Sequence, residues 1–457
     1  MKLPESLTNS LVNVEGFDKQ AFEKLHTSGE QVTSIRINPL KLTAEQSALT
    51  NLIHNSQFKI DNKVPWSDFG YYLKQRPSFT FDPLFHAGCY YVQEASSMFL
   101  EQALKQTVDL SKPLKILDLA AAPGGKSTHV QSLISSDSLL VSNEVIRSRA
   151  NVLQSNIIKW GADNVVVTNN DPKEFARLKD YFDVIIVDAP CSGSGLFRRD
   201  EEAINEWSLN NVQLCTQRQQ RIIANVWPAL KKDGVLIYST CSYSTEEDEK
   251  VIDWMNAEFR TENVDLTIPD EWNIVKSSVG YRFWPYLLKG EGFFIGCMRK
   301  LDGQNETEFK VKKKVESVSR KEMEILKHWV KDCLETSIKI SNIVYAVPHG
   351  LLNEINMLTN HVRVIYFGTM IGELVREKLV PAHALAQSDL VSDRIEKVGL
   401  DYSQAIQYLQ KKNLPGIDSS VGWKLVTYKS FPLGWINVLP ARINNYYPKD
   451  LRILKDI

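Results

Sequence analysis

No hydrophobic run in this 457-residue chain approaches the ~18 residues of a membrane span, and Met1-Lys2-Leu3-Pro4-Glu5 does not open like a secretory leader. A soluble, cytosolic protein without membrane attachment is therefore expected. An excess of charge of either sign is also missing. The 54 Lys+Arg and 55 Asp+Glu leave a net charge of −1, so no whole-molecule field draws the chain to a polyanion, and any such partner has to be held by local basic patches. Cysteine is sparse, with six residues (Cys89, Cys191, Cys215, Cys241, Cys297, Cys333) and no Cys-x-x-Cys pair. That spacing suggests neither a disulfide framework nor a zinc site. There is no internal repeat and no low-complexity tract. What remains is an ordinary globular composition, and at about 150 residues per domain the length predicts about three domains.

Between Leu114 and Lys300, short β-branched runs alternate with longer amphipathic stretches, the pattern of successive βαβ units. It predicts an α/β fold with a doubly wound parallel sheet over residues 111–300. The expected strands are Lys115–Leu119, Leu139–Asn143, Asn164–Thr168, Phe182–Val187, Val235–Ser239 and Gly292–Met298. The expected helices are Ser127–Leu133, Arg147–Trp160, Val212–Leu230 and Glu246–Phe259, stopped in places by Gly161 and Gly234. Residues 1–110 read as a mixed N-terminal segment with one clear strand, Thr33–Lys41. Residues 301–325, with Lys310-Val-Lys-Lys-Lys-Val315, read as a charged linker. Residues 326–457 read as a small separate α+β or β-barrel domain.

The first core strand runs into Ala120-Ala-Ala-Pro-Gly-Gly-Lys126, a small-residue turn leading into a helix. In a doubly wound sheet, ligands bind at this edge, where small residues allow close approach and a helix start offers free N–H groups. A phosphate-binding loop would need Gly at position 120, where Ala stands, and Gly-x-Gly-x-x-Gly is absent. S-adenosylmethionine is the third candidate. Glu144 favours it, because an acid about 20 residues beyond such a loop can grip ribose hydroxyls. Asp171, at the end of the third strand, can accept from an adenine amino group. Each acid alone is equally a strand-end or capping residue, whereas together they outline a nucleoside site.

The fourth and fifth strands end in Asp188-Ala-Pro-Cys191 and Thr240-Cys241, which puts two thiols at neighbouring carboxyl ends in the same crevice. The other four cysteines are read as small buried hydrophobes. Ser244-x-x-Glu247 or Thr245-x-x-Asp248 forms a plausible capping box, so a helix start just after Cys241 is expected to favour its thiolate. A thiolate beside a methyl donor suggests one chemistry. Carbon 5 of a pyrimidine is too poor a nucleophile to be methylated directly, whereas thiolate addition at carbon 6 makes it enamine-like. Asp188 could then bind the ring nitrogen and exocyclic amine, and Cys191 could help remove the carbon-5 proton.

At these residues the chain resembles the Nol/Nop/Sun family of RNA cytosine-5 methyltransferases. Five stretches in order carry the resemblance: Tyr91-Val-Gln-Glu-Ala-Ser-Ser-Met98, Asp118-Leu-Ala-Ala-Ala-Pro-Gly-Gly-Lys-Ser127, Asp188-Ala-Pro-Cys-Ser-Gly193, Ser239-Thr-Cys-Ser242 and Gly290-Glu-Gly-Phe-Phe294. The resemblance implies a Rossmann-like methyltransferase core that binds S-adenosylmethionine, and releases S-adenosylhomocysteine, through Ala120, Ala121, Ala122, Pro123, Gly124, Gly125, Lys126, Glu144, Asp171 and Asp188. It also implies Cys241 as nucleophile and Cys191 as assistant in product release, with Lys126 facing either the target base or the cofactor loop. Gly195-Leu-Phe-Arg-Arg-Asp200 and Glu206-Trp-Ser208 are similar to the branch that modifies cytosine near the decoding centre of 16S rRNA. The tail from Gly372, notably Pro381-Ala-His-Ala-Leu-Ala386 and Phe431-Pro-Leu-Gly-Trp435, resembles the PUA-like RNA-binding module of that branch. Asp248 and Tyr286 depart from the family pattern, which often has Asn and His there.

A cytosine in a duplex cannot present carbons 5 and 6 to a thiol and a methyl donor, so the target has to be single-stranded or flipped out. The expected RNA contacts are Arg36, Arg198, Arg199, Arg282 and Trp284, the last as a stacking surface. RNA, in the form of 16S rRNA or the 30S subunit, is the expected partner, with tRNA as the alternative substrate. A non-catalytic assembly factor, an adenine amino-methylating enzyme and a nucleotidase are the competing classes, and both thiols stay unexplained under the last.

Overall fold

The computed structural model describes residues 3–42, 59–303, 309–331, 336–414, 417 and 419–456. Near the N-terminus, β1 (Ser34–Ile37), β2 (Ile60–Lys63), β3 (Gly70–Leu73) and β4 (Tyr90–Val92) form an antiparallel sheet in the order β2-β3-β1-β4. The run Thr33–Lys41, read as a strand ending at a turn, is a strand to Ile37 followed by that turn. Asn38 caps a short 3-10 turn at Pro39–Lys41, because proline cannot donate to a sheet ladder.

The core follows the βαβ pattern. β5 (Lys115–Asp118), β6 (Leu139–Asn143), β7 (Val165–Thr168), β8 (Phe182–Asp188) and β9 (Leu230–Thr240) are parallel neighbours in the order β7-β6-β5-β8-β9. The chain winds from β5 outward to β7, then returns to the other side of β5 for β8 and β9. This reversal opens a crevice at the carboxyl ends of the strands. The sheet is buried on both faces, with Leu117, Val141, Val166 and Ile185 on one and Ile116, Leu140, Val167 and Val184 on the other, as two-sided cover by helices demands. Each such side chain contributes about 1.5–3 kcal/mol on burial.

Two expectations about the core need correction. The sixth strand, β13 (Phe293–Lys300), runs antiparallel to β9, because after the helix that follows β9 the chain passes through the short strands β10 (Thr261–Asn263), β11 (Val275–Lys276) and β12 (Tyr281–Phe283) and enters β13 from the opposite end. The helix after Cys241 spans Glu249–Glu258 and has no side-chain cap. Cys241 is thus eight residues ahead of the first helical residue, and neither capping box forms.

The C-terminal part is less separate than its composition suggests. β14 (Glu316–Ser317), β15 (Ser337–Ile340) and β16 (Ile343–Ala346) start a second sheet. The chain then turns through a helix at Leu352–His361 into β17 (Val364–Phe367), which pairs antiparallel with β7 and extends the core sheet. Arg363 N–H and C=O bond Asn170 Oδ1 and Asn169 N–H at the top of β7. β18 (Thr369–Val375) and β19 (Lys378–Pro381) complete the second sheet, and β20 (Lys397–Leu400), β21 (Gly422–Tyr428), β22 (Phe431–Leu439) and β23 (Arg442–Asn445) form a last one. Leu400, Ile406, Tyr408, Val426 and Ile436 share an apolar cluster with Ile35, Ile37, Leu84 and Tyr90 of the N-terminal part. The two ends of the chain therefore stabilise one another. The expected linker is also docked rather than free: β14 pairs with β15, and the segment before it is bonded to the Leu352–His361 helix. Among the described residues no helix is long and apolar enough to cross a membrane.

Candidate active site

The small-residue turn after β5 is held from several directions. Ala121 N–H bonds Asn143 O at 2.8 Å, and Asn143 Nδ2 returns to Leu119 O at 3.1 Å. Arg149 donates to Ala122 O at 2.9 Å, and Asn156 Nδ2 to Pro123 O at 2.8 Å. Gly124 adopts φ 114° at the start of the Gly125–Gln131 helix, a conformation from which a side chain would be strained. The loop is thus preformed, with its backbone brought close to the crevice.

Carboxylates surround it. Asp118 is fully buried at the end of β5; its Oδ2 accepts from Ser127 Oγ at 2.6 Å, while Oδ1 is buried without a hydrogen bond. Burial pushes its carboxyl up to about 7, against the partial relief of Ser127 and Lys126. Glu144 at the end of β6 uses Oε1 to accept from Ile146 N–H at 2.9 Å, and its buried Oε2 has no hydrogen bond. The nearest cation, on Arg149, is 3.5 Å away. Asp171 caps the turn at Pro172–Arg177 through Lys173 N–H and stands exposed.

Across the reversal point, β8 and β9 carry the thiols. Cys191 Sγ and Cys241 Sγ are 3.1 Å apart. The Cys191 thiol is pushed well above the usual cysteine range, first by the neighbouring Cys241 sulfur and then by burial. Asp188 faces the same space. Its Oδ2 pairs with Lys126 Nζ at 2.7 Å and its Oδ1 accepts from Ser239 Oγ at 2.9 Å. Burial works against the Lys126 charge, yet Asp188 holds it above its usual value. Of the expected residues, the structure brings Asp188, Lys126, Cys191 and Cys241 together beside the turn at 120–125, with Glu144 and Asp171 at the neighbouring strand ends.

Sequence reasoning missed the group that joins the two thiol loops. Glu247, read there as a capping residue, is buried. It accepts from Ser192 N–H at 2.7 Å, Ser192 Oγ at 2.5 Å and Ser242 Oγ at 2.7 Å. Burial raises its pKa, and the serine bonds offset this in part. The available signal was the repetition of serine directly after each cysteine. Ser239 and Asp118 were missed in the same way.

Four of the five expected RNA contacts are corrected. Arg36 is buried between the N-terminal sheet and the Gly125–Gln131 helix, bonding Gln93 Oε1 at 2.8 Å and Thr128 Oγ1 at 2.6 Å while stacking on Trp160. Arg198 donates to Glu30 O at 2.7 Å and Gly290 O at 3.2 Å. Arg282 is held by Glu249 and Asp248. Trp284 is buried, stacked on Tyr243 and bonded to Glu15 O. Each is committed to the protein because a buried polar group has to be satisfied internally. Only Arg199 of the five is exposed. Cys89, Cys215 and Cys297 are buried as expected, and Cys333 lies outside the described residues.

A strand order that reverses at β5, a glycine turn at the reversal and carboxylates at successive strand ends define a Rossmann-like methyltransferase. A solved methyltransferase homolog from Pyrococcus horikoshii has this fold at 27% identity and a TM-score of 0.53, over 65% of this chain and 100% of that one. The structure of NSun6 from the same organism with SFG is similar at 20% identity and a TM-score of 0.55, over 65% and 98%. Residues 105–299 match the family described as 16S rRNA methyltransferase RsmB/F. Residues 3–95 match the N-terminal domain of 16S rRNA methyltransferase RsmF, and residues 395–453 its PUA domain. The chain thus carries segments similar to the catalytic, N-terminal and PUA parts of the 16S rRNA methyltransferases RsmB/F and RsmF. Curated relatives called ribosomal RNA small subunit methyltransferase F, from Shewanella loihica and Aeromonas salmonicida, are each 29% identical to it. They align over 92% of this chain and 88% and 90% of their own. The Pro381–Ala386 stretch lies ahead of the matched PUA residues, with Pro381 ending β19.

Proposed function

We propose that this chain is an S-adenosylmethionine-dependent RNA cytosine-5 methyltransferase that forms 5-methylcytosine in 16S rRNA near the decoding centre, acting in the cytoplasm. One observation carries the reading: two thiols 3.1 Å apart at adjacent strand ends, beside the Asp188–Lys126 pair.

The residues present fit the cofactor. Glu144 Oε2 is a buried acceptor without a hydrogen bond, which suits a ribose hydroxyl, and Gly124 supplies the φ of 114° that the turn beside it needs. The turn at Ala120–Lys126 would hold the cofactor together with Glu144, Asp171 and Asp188. S-adenosylmethionine bound there supplies an electrophilic methyl carbon.

The protein's own residues account for the rest. The Cys241 thiolate forms a bond to carbon 6 of the target cytosine, and the electron pair displaced from the carbon 5–carbon 6 bond makes carbon 5 nucleophilic. Asp188, sharing a proton, holds ring nitrogen 3 and the exocyclic amine and stabilises the charge that builds there. Lys126 keeps Asp188 in place. Once carbon 5 carries the methyl group, its proton leaves to Cys191 or to a water it holds, the carbon 6–sulfur bond breaks, and the electrons restore the double bond. The short thiol contact suits this order of events. Cys191 Sγ stands 3.1 Å from the sulfur that bonds carbon 6, next to the carbon whose proton is lost.

The test is transfer of labelled methyl to 30S particles, free 16S rRNA and bulk tRNA by wild type, Cys241→Ala and Cys191→Ala. The reading requires 5-methylcytosine in 16S rRNA, its loss in Cys241→Ala, and a covalent protein–RNA adduct in Cys191→Ala. Label confined to tRNA would replace the substrate, and label at an exocyclic amine would replace the mechanism.

A further inference from the structure

Residues 310–314 carry four lysines in five positions: Lys310, Lys312, Lys313 and Lys314. All four are exposed, and among the described residues none of their ammonium groups has an ionic or hydrogen-bonded partner. A run of like charge normally belongs to a mobile, solvated segment, yet this one is fixed. Lys312 and Lys313 N–H bond Asn360 Oδ1 at 3.2 and 3.1 Å, Asn360 Nδ2 returns to Lys313 O at 2.7 Å, and Val315 N–H bonds Asn356 Oδ1 at 2.8 Å. Two asparagines one turn apart on the Leu352–His361 helix thus pin the lysine-bearing backbone. That helix leads directly into Arg363, whose backbone is bonded to Asn169 and Asn170, just before the candidate site residue Asp171. The lysines are therefore anchored to a helix that spans the sheet, with Glu354 bonded to Tyr181 and Lys115 at the amino-terminal strand ends and the other end leading to Arg363 beside the crevice. They lie between residues 299 and 395, a stretch that none of the three matched family domains covers.

We propose that this lysine strap is a docking surface for the phosphate backbone of the substrate RNA, engaging it outside the crevice. The inference rests on the reading of the protein as an rRNA methyltransferase. Two physical facts favour RNA. In a chain of net charge −1, four uncompensated cations within five residues concentrate the positive potential that long-range attraction lacks. Lysine binds phosphate as a point charge and needs no shaped pocket, and a backbone fixed in advance loses less entropy on binding than a free tail. The buried arginines are committed to internal bonds, so the strap also supplies contacts that they do not.

The experiment measures binding of the full chain to free 16S rRNA and to 30S particles across a range of salt, together with KM and kcat for methylation. Lys312→Gln/Lys313→Gln/Lys314→Gln is compared with Lys112→Gln/Lys232→Gln/Lys276→Gln, an equal number of exposed lysines that make no bond to the strap. The strap variant should bind both RNAs about 10-fold or more weaker. The slope of log affinity against log salt should fall by about 2 units, and KM should rise with kcat unchanged, because phosphate contacts add binding that is equal in ground and transition states. Binding and salt slope equal to the control triple overturn the inference, as does a loss confined to 30S particles, which would assign the strap to a ribosomal protein. Product analysis of the wild type separates this from the parent reading: normal 5-methylcytosine with an inert strap defeats only the strap, and absence of 5-methylcytosine defeats the parent reading.

Discussion

The two sides of the crevice treat their carboxylates in opposite ways. On the side of β5 and β6, Asp118 Oδ1 and Glu144 Oε2 are buried without hydrogen bonds. On the side of β8 and β9, every carboxylate oxygen of Asp188 and Glu247 has a partner: Lys126 and Ser239 for the first, Ser192 and Ser242 for the second. A buried acceptor left open costs about 1–3 kcal/mol, a cost that a ligand donating to it would remove. Glu247, fully bonded between two loops, acts instead as a fixed strut, and Asp188 is held in a set orientation by Lys126 and Ser239. One side leaves acceptors open, and the other fixes its groups in place.

The largest effect expected from this contrast is at Cys241. Cys241→Ala should lower methyl transfer by at least about 10⁴-fold with cofactor affinity intact, read by single-turnover assay and by calorimetry. Residual turnover above that would break the assignment of a covalent thiol to this side. Next comes Glu247. Glu247→Ala removes three hydrogen bonds at once and should lower kcat by about 100-fold with the KM for cofactor little changed. Glu247→Gln should recover most of the loss, because both serine hydroxyls can turn from donor to acceptor while the amide oxygen still takes Ser192 N–H. Equal damage from both variants would mean that charge, not positioning, is what Glu247 supplies.

On the receiving side, Glu144→Gln should raise the KM for cofactor about 10-fold and leave kcat nearly unchanged. A fall in kcat at constant KM would erase the division between the two sides. The smallest effect concerns stability. Glu291, ahead of β13, has no hydrogen bond on either oxygen and only an ion pair with Arg198 at 3.5 Å, and burial pushes its carboxyl up to about 7. Its folded pKa is above its unfolded one, so the native state binds the extra proton and stability falls as pH rises from about 4.5 to about 7. Glu291→Gln should therefore raise Tm by a few degrees at pH 8 and hardly at all at pH 4.5, measured by thermal denaturation at both pH values.

The elements of the core were legible in the sequence because their signals are local. The helix Arg147–Trp160 and the strand Leu139–Asn143 match their expected spans residue for residue, since periodicity and Gly161 act over a few residues. The thiols, Asp188 and the glycine turn were legible as well, because a doubly wound sheet puts every strand's carboxyl end at one edge. Arg36, Arg198, Arg282 and Trp284 were not, because whether an arginine meets solvent depends on what packs over it from distant parts of the chain. Glu247 is the reverse case. Its local context reads as a helix cap, whereas its partners lie 55 and 5 residues away.

The sequence by itself determined the methyltransferase core, the glycine turn that borders the crevice, and the presence of two thiols in that crevice, because these follow from short-range periodicity and strand topology. Only the tertiary structure decided the distance between those thiols, the bridging of their loops by Glu247, the fusion of β17 to the core sheet and the pinning of the lysine strap. The physical reason is that each depends on long-range packing, where a side chain's role is set by the groups the fold brings against it and not by its neighbours along the chain.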